Sequence, residues 1–288
     1  MIRPGIGAAS GPEWRLIVDA PGDGPSNMAV DEALLEAYDH DTSALAPTLR
    51  LYGWHPAALS LGRSQRGSGL YDAEFLRRDG IELVRRPTGG DAVLHEFERT
   101  YAVVGRLGVP PFDGGVVSTY RTLAVALARS LFELGIEAIP VEPRRGAPRE
   151  TAPSCFERVG SFELTTRGRK LVGSAQARRR GAFLQHGSIP IRLDADRLSA
   201  VVGAKVDGSR FIDLERAAGR PVDPDSLDRA VVSGFEQSFG VRLRAGKLTE
   251  GEALRAAELR CWKYDSIAWT RDGRMGRRES HWGPVSAG

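Results

Sequence analysis

Apolar residues fall into short runs over the first two-thirds of the chain, and into longer, helically spaced sets thereafter. Trp14–Val18, Thr48–Tyr52, Ala57–Leu61, Ile81–Arg86, Thr100–Arg106 and Glu137–Val141 are brief and bounded by Gly, Pro or polar residues, which predicts strands. Lys170–Ala177 and Ala182–Leu193 flank Arg178–Gly181, the pattern of a hairpin. Leu123, Leu127, Leu131 and Leu134 recur at helical spacing, so the sequence predicts a helix over Val117–Leu134, capped by Ser118 and stopped by Gly135. An earlier helix is expected over Met28–Tyr38, with Ser26 or Asn27 as its cap and Asp31 and Glu32 near its positive end. Beyond Asp194 short helices dominate: Asp196–Val202, Ser226–Phe239 and Thr249–Arg260. Strands first and helices last predict an α+β class, a mixed β-sheet core flanked by helices with a small helical extension at the C-terminal end.

Length refines this picture. A chain of 288 residues buries about three-quarters of its surface without disulfide or metal staples. We expect a loose N-terminus (1–13), a main domain (14–215), a helical extension (216–270) and a polar tail (271–288). The 41% hydrophobic and 27% charged content fits an ordinary globular protein. Cys155 and Cys261 are too few and too far apart for a disulfide framework or a CxxC metal site. Met1–Trp14 lacks an apolar core, and no run approaches a membrane span, so a cytoplasmic location without membrane contact is expected. The net charge is only +3, yet just four of the 40 basic residues are Lys. That scarcity draws attention to each lysine, because an amine can shed its proton or act as a compact point charge where Arg cannot.

Several chemistries are excluded by motif. There is no P-loop, no G-x-G-x-x-G after a strand and no G-x-S-x-G elbow, and position 99 is Arg where H-E-x-x-H needs His. Three stretches remain. Arg85-Arg86-Pro87-Thr88-Gly89-Gly90-Asp91-Ala92-Val93-Leu94-His95 fits either a plain hairpin turn or a loop whose backbone approaches a ligand closely. Lys170, Gly173 and Gln176, followed by Gln185-His186-Gly187-Ser188, would line a cleft with one cation inward; Lys170 also fits a solvated edge lysine. Cys155, in Pro153-Ser154-Cys155-Phe156-Glu157, reads as a small buried hydrophobe or, beside cationic groups, as an activated thiol. Cys261, beside Trp262, reads as packing.

These stretches together resemble the lipoate–protein ligase and octanoyltransferase superfamily, with its biotin/lipoate ligase-like catalytic domain. Asn27 through Leu35 is similar to its first helix, Leu49-Arg50-Leu51-Tyr52-Gly53-Trp54 and Ser60 through Gln65 to its next strands, and Lys263-Tyr264-Asp265-Ser266 with Trp269 to its closing segment. Within it, Ser154-Cys155-Phe156-Glu157 followed by Phe162-Glu163-Leu164 resembles the Cys-dependent octanoyltransferases of the LipM type.

The resemblance implies Cys155 as acyl-accepting nucleophile and Lys170 as the cation near the acyl carbonyl. It also implies that Arg86, Thr88, Gly89, Gly90, His95, Gly173, Gln176, His186 and Gly187 border the acyl pocket. Asp91 departs from the family's usual Gly or basic residue. The implied donor is octanoyl-acyl carrier protein, and the implied acceptor is a lysine of a lipoate-accepting carrier domain, GcvH-like or an E2 lipoyl domain. No cofactor, metal or nucleotide is implied. His95 and His186 are both candidates for the base that activates the thiol. Arg-rich stretches at 144–149 and 178–180 would steer an acidic donor or form solvated turns; no aromatic interleaving marks them as nucleic-acid binding. Two rivals share these motifs, an ATP-dependent lipoate ligase and an amidotransferase working between carrier proteins.

Overall fold

A computed structural model describes residues 11–39, 45–66, 69–141 and 163–274. Cys155 and the Arg-rich stretch at 144–149 lie outside the described residues. The elements run β1 (Glu13–Val18), α1 (Gly24–Glu36), β2 (Thr48–Tyr52), β3 (Ala58–Leu61), α2 (Ala73–Arg78), β4 (Glu82–Arg85), β5 (Val93–His95) and β6 (Glu98–Arg106). They continue with α3 (Val116–Glu133), β7 (Ile139–Pro140), β8 (Leu164–Thr166), β9 (Arg169–Arg179), β10 (Ala182–Pro190), α4 (Ala195–Val202) and α5 (Leu214–Ala218). The chain then forms α6 (Pro224–Phe239), β11 (Arg242–Ala245), α7 (Glu250–Leu259), a π-helical turn (Arg260–Tyr264) and α8 (Ile267–Asp272).

An 8-stranded mixed sheet in the order β11-β1-β2-β6-β10-β9-β8-β7 forms the centre, beside a 3-stranded sheet β4-β3-β5. The period of two along each strand sends alternate residues to opposite faces. Leu49, Leu51, Tyr101, Val103 and Phe183 pack with Leu123, Leu127 and Leu131 of α3 and with Leu227, Val231 and Phe235 of α6. Their neighbours Tyr52, Ala102, Val104 and Leu184 face the other way, against Met28, Ala33 and Leu34 of α1 and Leu259 of α7. A third cluster joins Leu59, Leu61 and Leu94 of the small sheet to Leu76 of α2 and Leu198 and Val201 of α4. Each Leu, Val, Phe or Met among them contributes about 1.5–3 kcal/mol on burial.

Local chemistry explains where the elements begin and end, and corrects several expectations. Helix α1 starts earlier than expected, because Asp23 rather than Ser26 or Asn27 is the cap, accepting from the Ser26 N–H, and Pro25 occupies the first turn. Helix α3 has Gly115, not Ser118, at its cap, with no side-chain hydrogen bond there. The strand expected over Glu137–Val141 is reduced to Ile139–Pro140. In the β9–β10 hairpin, Arg180 (φ 44°) and Gly181 (φ 81°) both have the left-handed backbone that suits a two-residue turn to the strands' twist. Residues 216–270 include a strand: β11 pairs in parallel with β1, Arg242 opposite Glu13, and α6 covers the sheet beside α3. Cys261, expected to pack, is exposed. Among the described residues no helix is long and apolar enough to cross a membrane.

Candidate active site

The hairpin β9–β10, the loop after β4 and the ends of β3, β5 and β6 enclose a cavity of about 420 Å³. Its walls grade from open to sealed. Gly89, Gly90, Val116 and Val117 are exposed at the mouth, whereas Ser60, His95, Thr100, Lys170, His186 and Ser188 are buried. Met28, Tyr52, Trp54, Val93 and Tyr120 supply apolar and aromatic surface. Of the residues expected to border the pocket, Arg86, Gly89, Gly90, His95, Gly173, Gln176, His186 and Gly187 line this cavity, as does Lys170. Thr88 does not line it; its hydroxyl is spent on His186.

The loop after β4 is held by its own neighbour. The Arg86 guanidinium donates to the Gly89 carbonyl (3.1 and 2.7 Å), the Asp91 carbonyl (2.7 Å) and the Ser60 carbonyl (3.1 Å). Arg86 therefore shapes the loop as well as bordering the cavity. The Arg63 N–H donates to the Thr88 carbonyl at 2.8 Å, which ties the loop after β3 to the same segment. A Cβ on Gly62 would sit 1.9 Å from the Gly90 oxygen, so this close approach requires glycine.

Lys170 is 1% exposed, and its Nζ donates to Glu163 Oε1 at 2.6 Å. Its backbone is fixed on both sides, donating to the Arg210 carbonyl and accepting from the Ile212 N–H. The ammonium is thus held in a cavity wall away from bulk water, where a cation acts on a neighbouring partial charge far more strongly than it would in solvent. Lys170 is not the solvated edge lysine that its sequence position also allowed.

A second buried network lies behind the cavity wall. His186 Nδ1 is 2.8 Å from Asp31 Oδ2, and His186 Nε2 is 2.6 Å from the Thr88 hydroxyl. Burial is the largest influence on His186 and holds its pKa below the ordinary value despite the Asp31 carboxylate. The neutral ring therefore donates from Nδ1 to Asp31 and accepts the Thr88 hydroxyl at Nε2. Both nitrogens are committed to the scaffold, which makes His186 a brace for the loop at Thr88. Burial opposes the Asp31 charge, but the His186 hydrogen bond and the Arg50 guanidinium outweigh it, so Asp31 titrates below the usual carboxylate range. Arg50 Nη1 donates to Asp31 Oδ1 at 2.7 Å, and the Tyr52 hydroxyl donates to Asp31 Oδ2 at 2.8 Å.

A third network surrounds Glu98. Its carboxylate accepts hydrogen bonds from the Thr100 and Ser188 hydroxyls and lies 3.0 Å from His95 Nδ1. His95 Nε2 is 2.8 Å from the Ser60 hydroxyl, and the imidazole stacks on Trp54 at 4.0 Å. Burial works against ionisation of Glu98, yet His95 and the two hydroxyls together bring its pKa below the ordinary value.

Asp31 and Glu98 were not singled out for the site by sequence reasoning. Asp31 had a usable signal: it interrupts a helix that is apolar around most of its circumference, which is where a buried, partnered acid belongs. The Arg178–Arg180 turn is only partly available to steer a partner. Arg179 pairs with Glu36 at 2.9 Å, while Arg178 donates to Gln176 at the cavity edge. Among the described residues, no group of three or more His, Cys, Asp or Glu is arranged to hold a metal ion.

Known proteins resemble this chain in sequence and fold. The family described as the lipoyl protein ligase A/B catalytic domain matches residues 23–236. The octanoyltransferase LipM of Kyrpidia tusciae is 41% identical over 270 residues, covering 89% of this chain and 97% of that protein. The octanoyltransferase LipM of Moorella thermoacetica is 40% identical, covering 90% and 97%. Among solved structures, lipoate-protein ligase A bound with ATP superposes with a TM-score of 0.75 at 27% identity, covering 90% of this chain and 98% of its own. A bipartite lipoate protein ligase from Thermoplasma acidophilum, described with its E2 lipoyl domain, gives a TM-score of 0.75 at 27% identity, covering 90% and 96%. A match over most of the cavity-forming elements, with relatives this similar along nearly the whole chain, means that the chain belongs to the lipoyl protein ligase A/B catalytic domain family.

Proposed function

We propose that this protein is an octanoyltransferase of lipoate biosynthesis. It moves an octanoyl group from acyl carrier protein to a lysine of a lipoate-accepting carrier domain, GcvH-like or an E2 lipoyl domain, in the cytoplasm. The observation that carries this reading is the largely apolar cavity with a buried, carboxylate-held Lys170 in its wall. Relatives named octanoyltransferase LipM, 30–41% identical over most of the chain, support it.

The reaction divides into two exchanges. In the first, the Cys155 thiolate attacks the octanoyl thioester carbonyl, and the tetrahedral intermediate expels the carrier's thiolate. In the second, the acceptor lysine amine attacks the Cys155 thioester, loses a proton and expels the Cys155 thiolate, leaving an amide. Thioester exchange is nearly isoenergetic, and the stored thioester remains reactive toward an amine. Lys170 donates to the oxyanion at both steps, a contribution of about 10²–10³ in rate for one well-placed donor. The loop at Gly89–Gly90, braced by Arg86 and by Thr88 through His186, borders the acyl chain. Arg178, at the cavity edge, is placed to meet an acidic donor.

Because lipoate-protein ligase A, solved with ATP, has a similar fold, ATP dependence is the property that separates the two readings. The test is to incubate the protein with octanoyl-acyl carrier protein without ATP and measure intact mass. A mass gain of one octanoyl group, absent in Cys155→Ala, is the expected result. Transfer that needs ATP and free octanoate, and that survives Cys155→Ala, would establish a ligase. An adduct delivered only from an already octanoylated carrier domain would establish an amidotransferase.

A further inference from the structure

We propose that Glu98, behind Thr100 and Ser188, holds the floor of the acyl cavity closed and so sets the longest chain the enzyme accepts, a role that rests on reading that cavity as an acyl pocket. This residue lines one cavity and accepts hydrogen bonds from the wall of the other. Thr100 and Ser188, whose hydroxyls both donate to the Glu98 carboxylate, line the inner part of the acyl cavity. Glu98 itself lines a second cavity of about 500 Å³, where Leu94, Phe97 and Pro190 lie nearest it in sequence and on its strand partner, and charged residues such as Arg192, Arg197 and Asp213 form much of the rest. Glu98 therefore stands behind the inner wall of one cavity and in the wall of the other.

Strand register places it there. Thr100 lies opposite Ser188 and Glu98 opposite Pro190 in the antiparallel β6–β10 pair, so Glu98, Thr100 and Ser188 share one face of the sheet. Farther along that face are His186 and Ala102, beneath α1. The hydroxyls at this end already have partners. The Thr100 oxygen accepts from the Trp54 indole at 2.8 Å while its hydroxyl donates to Glu98. The Ser60 hydroxyl bonds His95 and accepts from Arg86 Nη1 at 3.1 Å.

A floor built this way favours a short apolar chain. In an open apolar pocket, each added methylene tightens binding by about fourfold. Here a longer chain must push the Thr100 and Ser188 hydroxyls off the ionised Glu98 carboxylate behind them. Burying those groups unpaired opposes the gain. Because the wall's donors are turned toward Glu98, it also offers little to a ligand with a polar tail. The second cavity gives the removal of this wall a specific consequence: a chain would have room to continue into it.

The test measures binding of hexanoate, octanoate, decanoate and dodecanoate by titration calorimetry, beside transfer from octanoyl- and decanoyl-acyl carrier protein. Wild-type protein is expected to bind decanoate at least about tenfold more weakly than octanoate, against the trend for free methylene burial. Glu98→Ala is expected to remove that drop or reverse it, shifting the decanoyl-to-octanoyl ratio by about tenfold or more. Glu98→Gln, which keeps the wall's size, is expected to retain the cut-off. If Glu98→Ala does not fold, Glu98→Ser shortens the wall while keeping a hydroxyl acceptor, and it carries the same comparison.

Wild-type protein that binds decanoate as tightly as octanoate overturns the proposal, whatever the variants do. A folded Glu98→Ala or Glu98→Ser protein whose octanoyl and decanoyl values fall together also overturns it, since that is the behaviour of a purely structural residue. A clear length cut-off in binding, lost in the shortened variant, without transfer from acyl carrier protein, leaves the floor standing and removes the transferase reading. No binding of any chain removes both.

Discussion

Arg85 and Trp269 bond reciprocally across 184 residues of chain. Arg85 Nε donates to the Trp269 carbonyl at 2.9 Å, and the Trp269 indole donates to the Arg85 carbonyl at 3.0 Å. The same guanidinium, fully buried, also reaches the Arg271 carbonyl (2.7 Å) at the end of α8, and the Gly62 (2.7 Å) and Gln65 (2.6 Å) carbonyls in the loop after β3. One cation thus satisfies carbonyls left open at a helix C-terminus and fastens that helix beside the loop that meets Thr88 and Gly90.

Replacing Arg85 with Ala leaves several carbonyls buried without a donor. We expect a loss of about 3 kcal/mol in urea unfolding. Arg85→Lys recovers only part of this, because a single ammonium cannot span the two sets of carbonyls. Limited proteolysis should cut the Arg85→Ala protein first within residues 265–274, where α8 loses its anchor. Equal protection of that segment in both proteins would contradict the clasp.

The His186 brace predicts a pH dependence of stability. Its folded pKa lies below the ordinary value of about 6.5, so as pH falls through 6.5 the unfolded chain takes up a proton that the folded chain refuses. Stability contributed by neutral His186 is therefore full above pH 6.5 and declines as pH falls toward the lower folded pKa. The melting temperature of the wild type should drop between pH 7 and pH 5, and His186→Asn should start lower but show a shallower drop. Parallel slopes for the two proteins would mean that His186 is not the group that titrates.

Local features of the fold were readable in the sequence, and distant pairings were not. The β9–β10 hairpin and the loop at 87–91 declare themselves through turn residues within a few positions of one another. Strand β11 has the sequence Arg-Leu-Arg-Ala, and only Leu243 is buried, so no apolar run announces it; its place beside β1 exists only after folding. The site divides the same way. Lys170, His95 and the Gly89–Gly90 loop carried visible chemistry, whereas Asp31 and His186 meet across 155 residues. Glu98 reads as one more acid in an acidic stretch until its strand partner Pro190 and the adjacent Ser188 are known.

Asp31 neutralises Arg50 in a fully enclosed site, so the pair should fail asymmetrically. Asp31→Ala strands the Arg50 guanidinium with Asp19, which is partly solvent-exposed, as its remaining carboxylate, and should cost about 3–5 kcal/mol. It also releases His186 Nδ1, so activity should fall by more than the loss of folded protein explains. Urea denaturation beside specific activity per folded molecule checks both expectations. A cost under about 1 kcal/mol would show that the Asp31 charge is not what holds Arg50.

Lys170 and Glu163 make the strongest prediction about the chemistry. If the ammonium donates to the oxyanion, Lys170→Ala should lower kcat for octanoyl transfer by about 10²–10³ with little change in octanoate binding. Lys170→Arg should recover little, because the planar guanidinium cannot occupy the point where a compact ammonium sits against Gly173; a Cβ added to that glycine would lie 3.4 Å from Lys170 Nζ. Glu163→Gln keeps a hydrogen-bond acceptor for the lysine but removes the carboxylate charge beside it. Its kcat should therefore fall less than that of Lys170→Ala at high substrate. A Glu163→Gln kcat equal to that of the wild type would place Glu163 in the scaffold and outside the control of Lys170.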